Sequence, residues 1–181
     1  MKKFFFLSKQ NISLAKEEVL SLINANNFEL IDNLLIAEDN TNNTRFRLEK
    51  RLGYTHSIYQ FLFKCKKTEL KKNINSIKWD SIYKKNFCVR IHNTCEYKEK
   101  DIAFLVYKKI KKPIVNLDNP KTRIDVFFIE NTVVCGLFLA DIDKSFLKRK
   151  AHMRPGFHPT SLHPALARAC INLTGLDRGI I

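Results

Sequence analysis

Short apolar segments along this chain alternate between the period of a strand and the period of a helix. Residues 4–7 have strand character, apolar residues recur at helical spacing over residues 12–23, and residues 28–37 are predicted to form one strand. Residues 45–48 are a candidate for a further strand. The resulting β-α-β-β order favours a small ferredoxin-like unit at the N-terminal end of an α/β (α+β) protein.

The central part of the chain continues this mixed pattern. Residues 53–63 are apolar and aromatic, and their pattern is compatible with either a helix or a strand. The elements predicted after them are an amphipathic helix over residues 70–79, a strand over residues 87–92, a helix over residues 101–110, and a hairpin of residues 124–129 and 133–140. Pro113 ends the second of these helices, and the hairpin turns at residues 130–132.

The composition excludes a disordered chain. Hydrophobic residues make up 45% of the 181 residues, with 14 Phe, so a core can form without a metal or a disulfide. No apolar run is long enough to span a bilayer. The basic and apolar start resembles a signal peptide, but its apolar stretch covers only residues 4–7 and is interpreted as the first strand. We expect a cytoplasmic protein.

Five cysteines occur without a C-x-x-C pair, and this odd number fits a reducing compartment. The arrangement nearest to a metal cluster is Cys88, His92 and Cys95, but these residues lack the close pairing of zinc ligands. We interpret the cysteines as small apolar residues in strands, and we predict that the chain binds no metal.

The net charge of +14 is concentrated in the middle of the chain, where residues 64–112 carry 15 basic and 5 acidic side chains. A concentrated positive field favours a polyanionic partner, nucleic acid first and an anionic membrane second. Asn and Lys are abundant throughout the sequence, so a lysine-rich surface with no specific partner is the alternative. The absence of a strongly amphipathic basic helix argues against a membrane-surface protein.

Two stretches carry a resemblance to known proteins. The strand F-C-V-R-I-H at residues 87–92 is followed by a helix, by V-N-L-D-N-P at residues 115–120, and by alternating apolar residues at 124–126 and 134–136. This order resembles the THUMP domain, an RNA-binding module of tRNA-modifying enzymes. Tyr107 and Lys108 stand in the region of the helix where that family usually has a glycine.

The second stretch is R-P-G-F-H-P-T-S-L-H-P-A-L-A-R at residues 154–168, continued by A-C-I-N-L-T-G at residues 169–175. It is similar to the junction segment of the archaeal-type tRNA guanine-N2 methyltransferases that modify guanine 10, although Gly156 stands where a second aromatic residue is common. In that family a ferredoxin-like piece and a THUMP domain precede a Rossmann-like methyltransferase domain. The resemblance implies a division into residues 1–64, 65–146 and 147–181, the last holding the linker and the first helix of the methyltransferase domain.

The motifs of the catalytic domain do not occur in this sequence. It contains no G-x-G, which an S-adenosylmethionine loop would need, and Lys121 follows Asn119-Pro120 where a second proline would be required for D/N-P-P-Y/F. We therefore interpret the chain as the tRNA-binding half of a methyltransferase, a truncation or one half of a split gene, with no catalytic residue and no cofactor of its own. S-adenosylmethionine would serve the absent domain, which a separate methyltransferase chain could supply. Without that domain, we expect the helix over residues 165–173 to expose its apolar face and to fray or dimerise.

Basic side chains in four places are the candidate tRNA contacts. They are Arg90 in the strand, Lys108, Lys109, Lys111 and Lys112 at the helix end, Lys121 and Arg123 in the loop after Asn119-Pro120, and Lys148, Arg149, Lys150 and Arg154 in the basic connector. In the resembling family the THUMP module is implicated in gripping the single-stranded acceptor end of tRNA. The alternatives are a half-buried polar strand face for Arg90, helix-dipole complementation for the lysines, and solvated loops or linkers for the others.

Two alternative functions remain open. A freestanding RNA-binding adaptor for another modifying enzyme would also carry a THUMP domain, and so would the N-terminal half of a 4-thiouridine synthetase. The element over residues 157–173 argues against the second. Tyr54, Tyr59, Tyr83 and Tyr97 are either base-stacking residues or partly buried packing residues.

Overall fold

The structure is a computed structural model that describes residues 1–40, 47–94, 96–153, 155–156 and 160–174. It is mixed α/β and divides into two compact units. The first unit contains residues 1–59 and the described residues from 139 onward, and the second unit contains residues 60–138. The division into residues 1–64, 65–146 and 147–181 remains a prediction.

The described residues form seven strands and six α-helices. The strands are β1 (Lys2–Leu7), β2 (Phe28–Ile31), β3 (Leu34–Glu38), β4 (Thr55–Lys66), β5 (Phe87–His92), β6 (Thr122–Ile129) and β7 (Thr132–Asp141). The helices are α1 (Ile12–Ile23), α2 (Leu48–Arg51), α3 (Leu70–Ser76), α4 (Trp79–Ile82), α5 (Glu99–Tyr107) and α6 (Pro164–Leu173). Short 3₁₀ helices lie at Lys67–Glu69, Lys144–Arg149 and Ala151–Met153. No helix in this part of the chain is both long and apolar enough to cross a membrane.

Helix α1 forms where the helical period predicts it. The Asn11 side chain accepts a hydrogen bond from the backbone N–H of Leu14 at 3.1 Å, which satisfies one of the free donors at the helix start. The helix stops at Asn24, whose φ of 49° is left-handed. Its buried face, which includes Ala15, Val19 and Leu22, packs into the core of the first unit.

The single strand predicted over residues 28–37 is wrong, because the chain turns there to form the antiparallel hairpin of β2 and β3. Asp32 occupies the turn with a φ of 50°, a conformation that aspartate and asparagine tolerate better than most residues. The buried Asn33 fixes the turn by donating from Nδ2 to the carbonyl oxygen of Leu7 at 2.7 Å. Strand β3 also pairs antiparallel with β1, so the order is β2-β3-β1-β4 in the first unit.

The structure bears on three predicted segments after this hairpin. Residues 55–63, where helix and strand competed, belong to the strand β4. Leu48, the predicted last residue of a strand over residues 45–48, instead begins α2. Residues 45 and 46 lie outside the described part of the chain. The predicted helix over residues 70–79 is two helices, because Ile77 between α3 and α4 is extended.

In the second unit the strand order is β4-β7-β6-β5, with β5 parallel to β6 and β6 antiparallel to β7. One face of these strands packs against α3 and α5 in a core that includes Phe87, Val126 and Ile102. The other face carries alternate residues, among them Arg90 opposite Asp125 in the register of β5 and β6. The predicted hairpin is confirmed, and β6 and β7 meet at Glu130, whose φ is 50°.

Helix α6 packs against α1 within the first unit. Its face with Ala165 and Ala169 belongs to the same core as Val19. The expectation that this apolar face would be exposed is therefore wrong for Ala165 and Ala169, which α1 covers. The expected fraying or dimerisation remains a prediction. Ile171, on the other side of the helix, and Leu173, at its C-terminal end, are exposed.

Candidate nucleic-acid interface

The four lysines at the end of α5 form a basic turn, here called the lysine turn (residues 108–112). Lys108 is the C-cap residue of α5, and Lys109, Lys111 and Lys112 lie beyond the helix rather than on its last turn. All four side chains are exposed, whereas Ile110 between them is buried in the core of the second unit. The buried isoleucine anchors the turn while the lysines point away from that core.

Hydrogen bonds to the α4 region hold the lysine turn in place. The backbone N–H of Lys111 donates to Asp80 Oδ1 at 3.1 Å. Just beyond the turn, the N–H of Ile114 donates to the Tyr83 hydroxyl at 3.1 Å. Lysines at a helix C-terminus complement the helix dipole, but this effect is worth less than about 1 kcal/mol. Four exposed ammonium groups on a fixed turn exceed what a helix cap requires and make a surface suited to phosphates.

An apolar groove of about 680 Å³ adjoins the lysine turn. It is lined by Phe104 and Tyr107 of α5, by Val115 and Leu117 of the following segment, and by the strand residue Val89, among others. Phe104 is 55% exposed and Leu117 is 57% exposed, so the groove presents aromatic and aliphatic surface to solvent. The Lys108 ammonium lies 4.2 Å from the centroid of the Phe104 ring, which places a cation directly at the edge of this groove.

Arg90 is committed to contacts within the protein. Its Nη1 lies 3.1 Å from Glu99 Oε2, and its Nη2 donates to the carbonyl oxygen of Leu117 at 2.8 Å. The guanidinium thus ties β5 to the start of α5 and to the segment that forms the groove wall. The half-buried polar strand face is the interpretation that this geometry favours, and Arg90 shapes the groove.

Arg123 is not in a loop, as the sequence suggested, but is the second residue of β6. Its Nε and Nη2 donate to the two carboxylate oxygens of Asp125 at 2.8 and 2.7 Å, a bidentate pair. His92 Nε2 lies 2.9 Å from the same fully buried carboxylate, and the His92 ring stacks on Phe127 at 4.1 Å. Arg123 therefore neutralises a buried aspartate, which accounts for its position without RNA.

The remaining candidates of the second unit divide into exposed and packed residues. Lys121 is exposed just before β6, and its backbone N–H donates to Asn86 Oδ1 at 2.7 Å. Of the four tyrosines, Tyr54 and Tyr59 are buried. Tyr97 stacks on Phe128 at 4.7 Å. The Tyr83 hydroxyl donates to the carbonyl oxygen of Lys85 at 2.6 Å. The packing interpretation of the tyrosines is the one that the structure favours.

The basic connector belongs to the first unit. Lys148 and Arg149 are exposed residues of the 3₁₀ helix Lys144–Arg149, and Lys150 follows it half-buried. Arg154 lies outside the described residues. The structure thus places the candidates in two separate groups, one in each unit. Within the second unit, Arg90 contacts Glu99 and Leu117, and Lys108 contacts Phe104, and these three partners line the groove.

The sequence analysis missed a buried carboxylate, Glu18 of α1, that joins α1 to α6. Its Oε1 accepts from the N–H of Gly53 at 2.8 Å and from Asn172 Nδ2 at 2.7 Å, and its Oε2 accepts from the N–H of Tyr54 at 3.0 Å. A Cβ at Gly53 would lie 2.8 Å from the carbonyl oxygen of Ala165, so the backbones approach closely here. The sequence did contain a sign of this buried group, because Glu18 lies on the same helix face as the apolar residues Ala15 and Val19.

Burial raises the pKa of Glu18, although the hydrogen bonds from Tyr54, Asn172 and Gly53 oppose this effect. A carboxyl with a raised folded-state pKa contributes stability that is present below its unfolded pKa and is lost as the pH rises through the folded pKa. We therefore expect the unfolding free energy of the wild type, relative to that of Glu18→Gln, to increase as the pH is lowered from neutral toward 4.5. Urea unfolding of both proteins at several pH values measures this difference, and a difference that is constant with pH would contradict it.

Three of the described cysteines are poorly suited to bind a metal. Burial raises the pKa of the thiols of Cys65, Cys88 and Cys135, which disfavours the thiolate that metals bind. Cys95 lies outside the described residues. Within the part of the chain that the structure describes, no three His, Cys, Asp or Glu side chains gather in an arrangement that could hold a metal ion.

Comparison with known proteins identifies relatives for this fold. No protein-family model matches the chain. A tRNA (guanine(10)-N2)-dimethyltransferase of Methanothermobacter thermautotrophicus is 31% identical over 137 residues, which are 73% of this chain and 41% of the relative. The chain belongs to the family of these tRNA guanine-N2 methyltransferases. It spans about two fifths of the length of this family member.

Solved structures share the fold at low sequence identity. The structure of TrmN from Thermus thermophilus superposes with a TM-score of 0.63 at 18% identity, covering 96% of this chain and 54% of that one. A 4-thiouridine synthetase, solved in a complex with RNA and bound ATP, superposes with a TM-score of 0.52 at 14% identity, covering 78% of this chain and 41% of that one. At these identities the superpositions establish the fold alone.

Proposed function

We propose that this chain is the tRNA-binding portion of an S-adenosylmethionine-dependent tRNA (guanine-N2) methyltransferase. It would grip the single-stranded acceptor end of tRNA and so position a guanine for methylation by a catalytic domain that is not in this chain. The observation that carries the proposal is the lysine turn beside the exposed apolar groove. Cations next to exposed aromatic rings are the combination by which proteins bind unpaired nucleotides.

The fold supports a more detailed assignment as part of this proposal. In the first unit, β1, α1, β2 and β3 follow one another with the strand order β2-β3-β1-β4, which is the arrangement expected of a ferredoxin-like piece. We assign the second unit to a THUMP domain, since its V-x-L-x-N-P element, residues 115–120, forms one wall of the groove. Helix α6 would then connect these units to the methyltransferase domain.

The residues of this chain have a binding role in this proposal. The ammonium groups of the lysine turn contact phosphates and release counterions, and the rings of Phe104 and Tyr107 offer surfaces on which bases stack. Arg90 acts through Glu99 and Leu117 as a positioning residue for the groove. S-adenosylmethionine supplies the methyl group to the guanine amine in the catalytic domain, and no residue of this chain is assigned to it. That domain could reside on the same polypeptide or on a separate methyltransferase chain.

The test is a titration of the chain with intact tRNA and with the same tRNA trimmed of its 3′ single-stranded end, at several salt concentrations. We expect trimming to reduce the affinity clearly. We expect a variant with Lys108, Lys109, Lys111 and Lys112 all replaced by alanine to lose at least about tenfold in affinity at moderate salt, with a salt dependence shallower by about 0.7–0.9 for each lost phosphate contact.

A charge-matched control separates a site from a general positive field. Lys64, Lys71, Lys72 and Lys78 are four exposed lysines of the same unit, and replacing all four by alanine removes the same charge. This control variant should bind nearly as tightly as the wild type. Equal losses in the two variants, together with equal affinity for trimmed and intact tRNA, would reduce the interaction to non-specific attraction and contradict acceptor-end recognition.

A further inference from the structure

A second basic feature, here called the arginine cleft, lies in the first unit between α2, the 3₁₀ helix Lys144–Arg149 and α6. Its volume is about 350 Å³. Four of its lining side chains are cationic, namely Lys50 and Arg51 of α2, Arg149 of the 3₁₀ helix and Arg168 of α6. These residues come from three segments that are far apart in the sequence, and only Arg149 belongs to the basic connector that the sequence indicated.

Two of the cationic side chains of the cleft, Arg168 and Arg51, are held in fixed positions. Arg168 Nη1 donates to the carbonyl oxygen of Lys50 at 2.7 Å, and its guanidinium lies 4.0 Å from the centroid of the buried Phe146 ring. Arg51 Nε and Nη2 both donate to Asn172 Oδ1 at 3.2 Å. Two of the four cations are thus fixed by hydrogen bonds to α2 and α6, and the other two, Lys50 and Arg149, are exposed.

Like charges are held together in this cleft. The pKa of Arg168 is lowered, first by burial and then by the nearby charge of Arg149. Glu18, which is buried behind Asn172, and Asp143 oppose this shift, but no carboxylate occurs among the described residues that line the cleft. An anion in the cleft would relieve the repulsion between the guanidinium groups.

Apart from Asn172, the rest of the lining is apolar and suits the ribose or base that is attached to a phosphate in RNA. Pro164, Ala167 and Ile171 of α6 form one wall, and Ile171 is 61% exposed. An inorganic ion would use only the cationic side, whereas a nucleotide of RNA would place its phosphate among the cations and its ribose or base against this wall. Both parts of the cleft are then used.

We propose that the arginine cleft binds a phosphodiester group of the RNA, as a second contact independent of the lysine turn. This inference rests on the proposed tRNA-binding function and adds to it a specific site on the first unit. Arg149 and Lys50 would contact the phosphate at the open side, while Arg168 and Arg51 would form the floor of the site.

The test uses the exposed cations, because Arg168 also packs on Phe146 and its loss could disturb the fold. The double variant Lys50→Ala and Arg149→Ala is compared with Lys2→Ala and Lys9→Ala, which removes two exposed charges from the same unit. We expect the cleft variant to bind tRNA at least about tenfold more weakly than the control. The slope of its affinity against salt concentration should correspond to the loss of about one to two phosphate contacts.

Lysine acetylation gives a second readout that does not depend on affinity. In the wild type, bound tRNA should protect Lys50 from acetylation and leave Lys9 reactive. Equal affinity of the two variants with an unprotected Lys50 would overturn the cleft site while leaving tRNA binding at the lysine turn intact. Protection of Lys50 by inorganic phosphate but not by tRNA would also overturn it, since the cleft would then take small anions only. If the wild type bound no tRNA at all, the proposed function would fail together with the cleft.

Discussion

Replacing Glu18 by alanine is expected to lower the unfolding free energy of the protein by about 3 kcal/mol, since such a change leaves buried donors without acceptors. The carboxylate is fully buried and accepts from two backbone N–H groups, those of Gly53 and Tyr54, and from the amide of Asn172. Alanine reaches none of these donors and leaves a cavity between α1 and α6. The ionised carboxylate is costly to bury, but its removal does not recover this cost while the donors remain unpaired.

The matched control for this change is Glu17→Ala in the same helix. Glu17 is 53% exposed and pairs with Lys16 at 2.8 Å, an arrangement worth about 0–1 kcal/mol at the surface. Urea unfolding followed by circular dichroism measures both variants. If Glu18→Ala and Glu17→Ala unfolded at the same urea concentration, the contacts of Glu18 with Asn172 and the backbone would not form in solution.

The junction between α1 and α6 could not be predicted from the sequence. The resemblance assigned residues 165–173 to the start of another domain, and the period of the segment identified a helix but not its neighbour. Asn172 and Glu18 are 154 residues apart, and a hydrogen bond over such a separation has no local signal. The glutamate on the apolar face of α1 indicated an unusual buried group, although it did not identify the partner.

Local signals did predict α1 and the hairpin of β6 and β7, because each depends on period and turn residues close in the sequence. The hairpin of β2 and β3 was missed because its turn has neither glycine nor proline. Asp32 adopts the left-handed conformation instead, and Asn33 secures the turn through Leu7. The lysine turn could be located, but the adjoining groove could have been inferred only from Phe104 and Tyr107, which lie opposite the buried Ile102 and Val106.

The site residues were harder to predict than the helices and strands. A cationic side chain that pairs within the protein has a structural role, and its partner is often not evident from the sequence. Arg123 and Asp125 are two residues apart in one strand, so they lie on the same face, and this spacing was a usable sign of an ion pair. Arg90 had no such sign, because its partners Glu99 and Leu117 come from other elements. The exposed lysines of residues 108–112 remain candidates because the structure gives their ammonium groups no carboxylate partner among its described ion pairs.

Replacing Asp125 by alanine should destabilise the second unit by about 2–3 kcal/mol, because it removes a buried carboxylate that accepts from a bidentate arginine and lies 2.9 Å from a histidine nitrogen. The expected loss is below that of a completely buried pair, since Arg123 and His92 are each slightly less than one third exposed and can regain water. Thermal unfolding measures the change, and Asp118→Ala, in an exposed position of the same unit, is the control.

The affinity for tRNA distinguishes this structural role of Arg123 from the RNA contact that the sequence suggested. If Asp125 serves to neutralise Arg123, then Arg123→Ala should lower stability and leave tRNA binding nearly unchanged, whereas alanine in the lysine turn should do the opposite. A large loss of affinity in Arg123→Ala with normal unfolding would restore Arg123 as an RNA contact. Contact with Asp125 thus marks Arg123 as a residue that stabilises the fold, whereas the exposed lysines of the lysine turn remain available to a ligand.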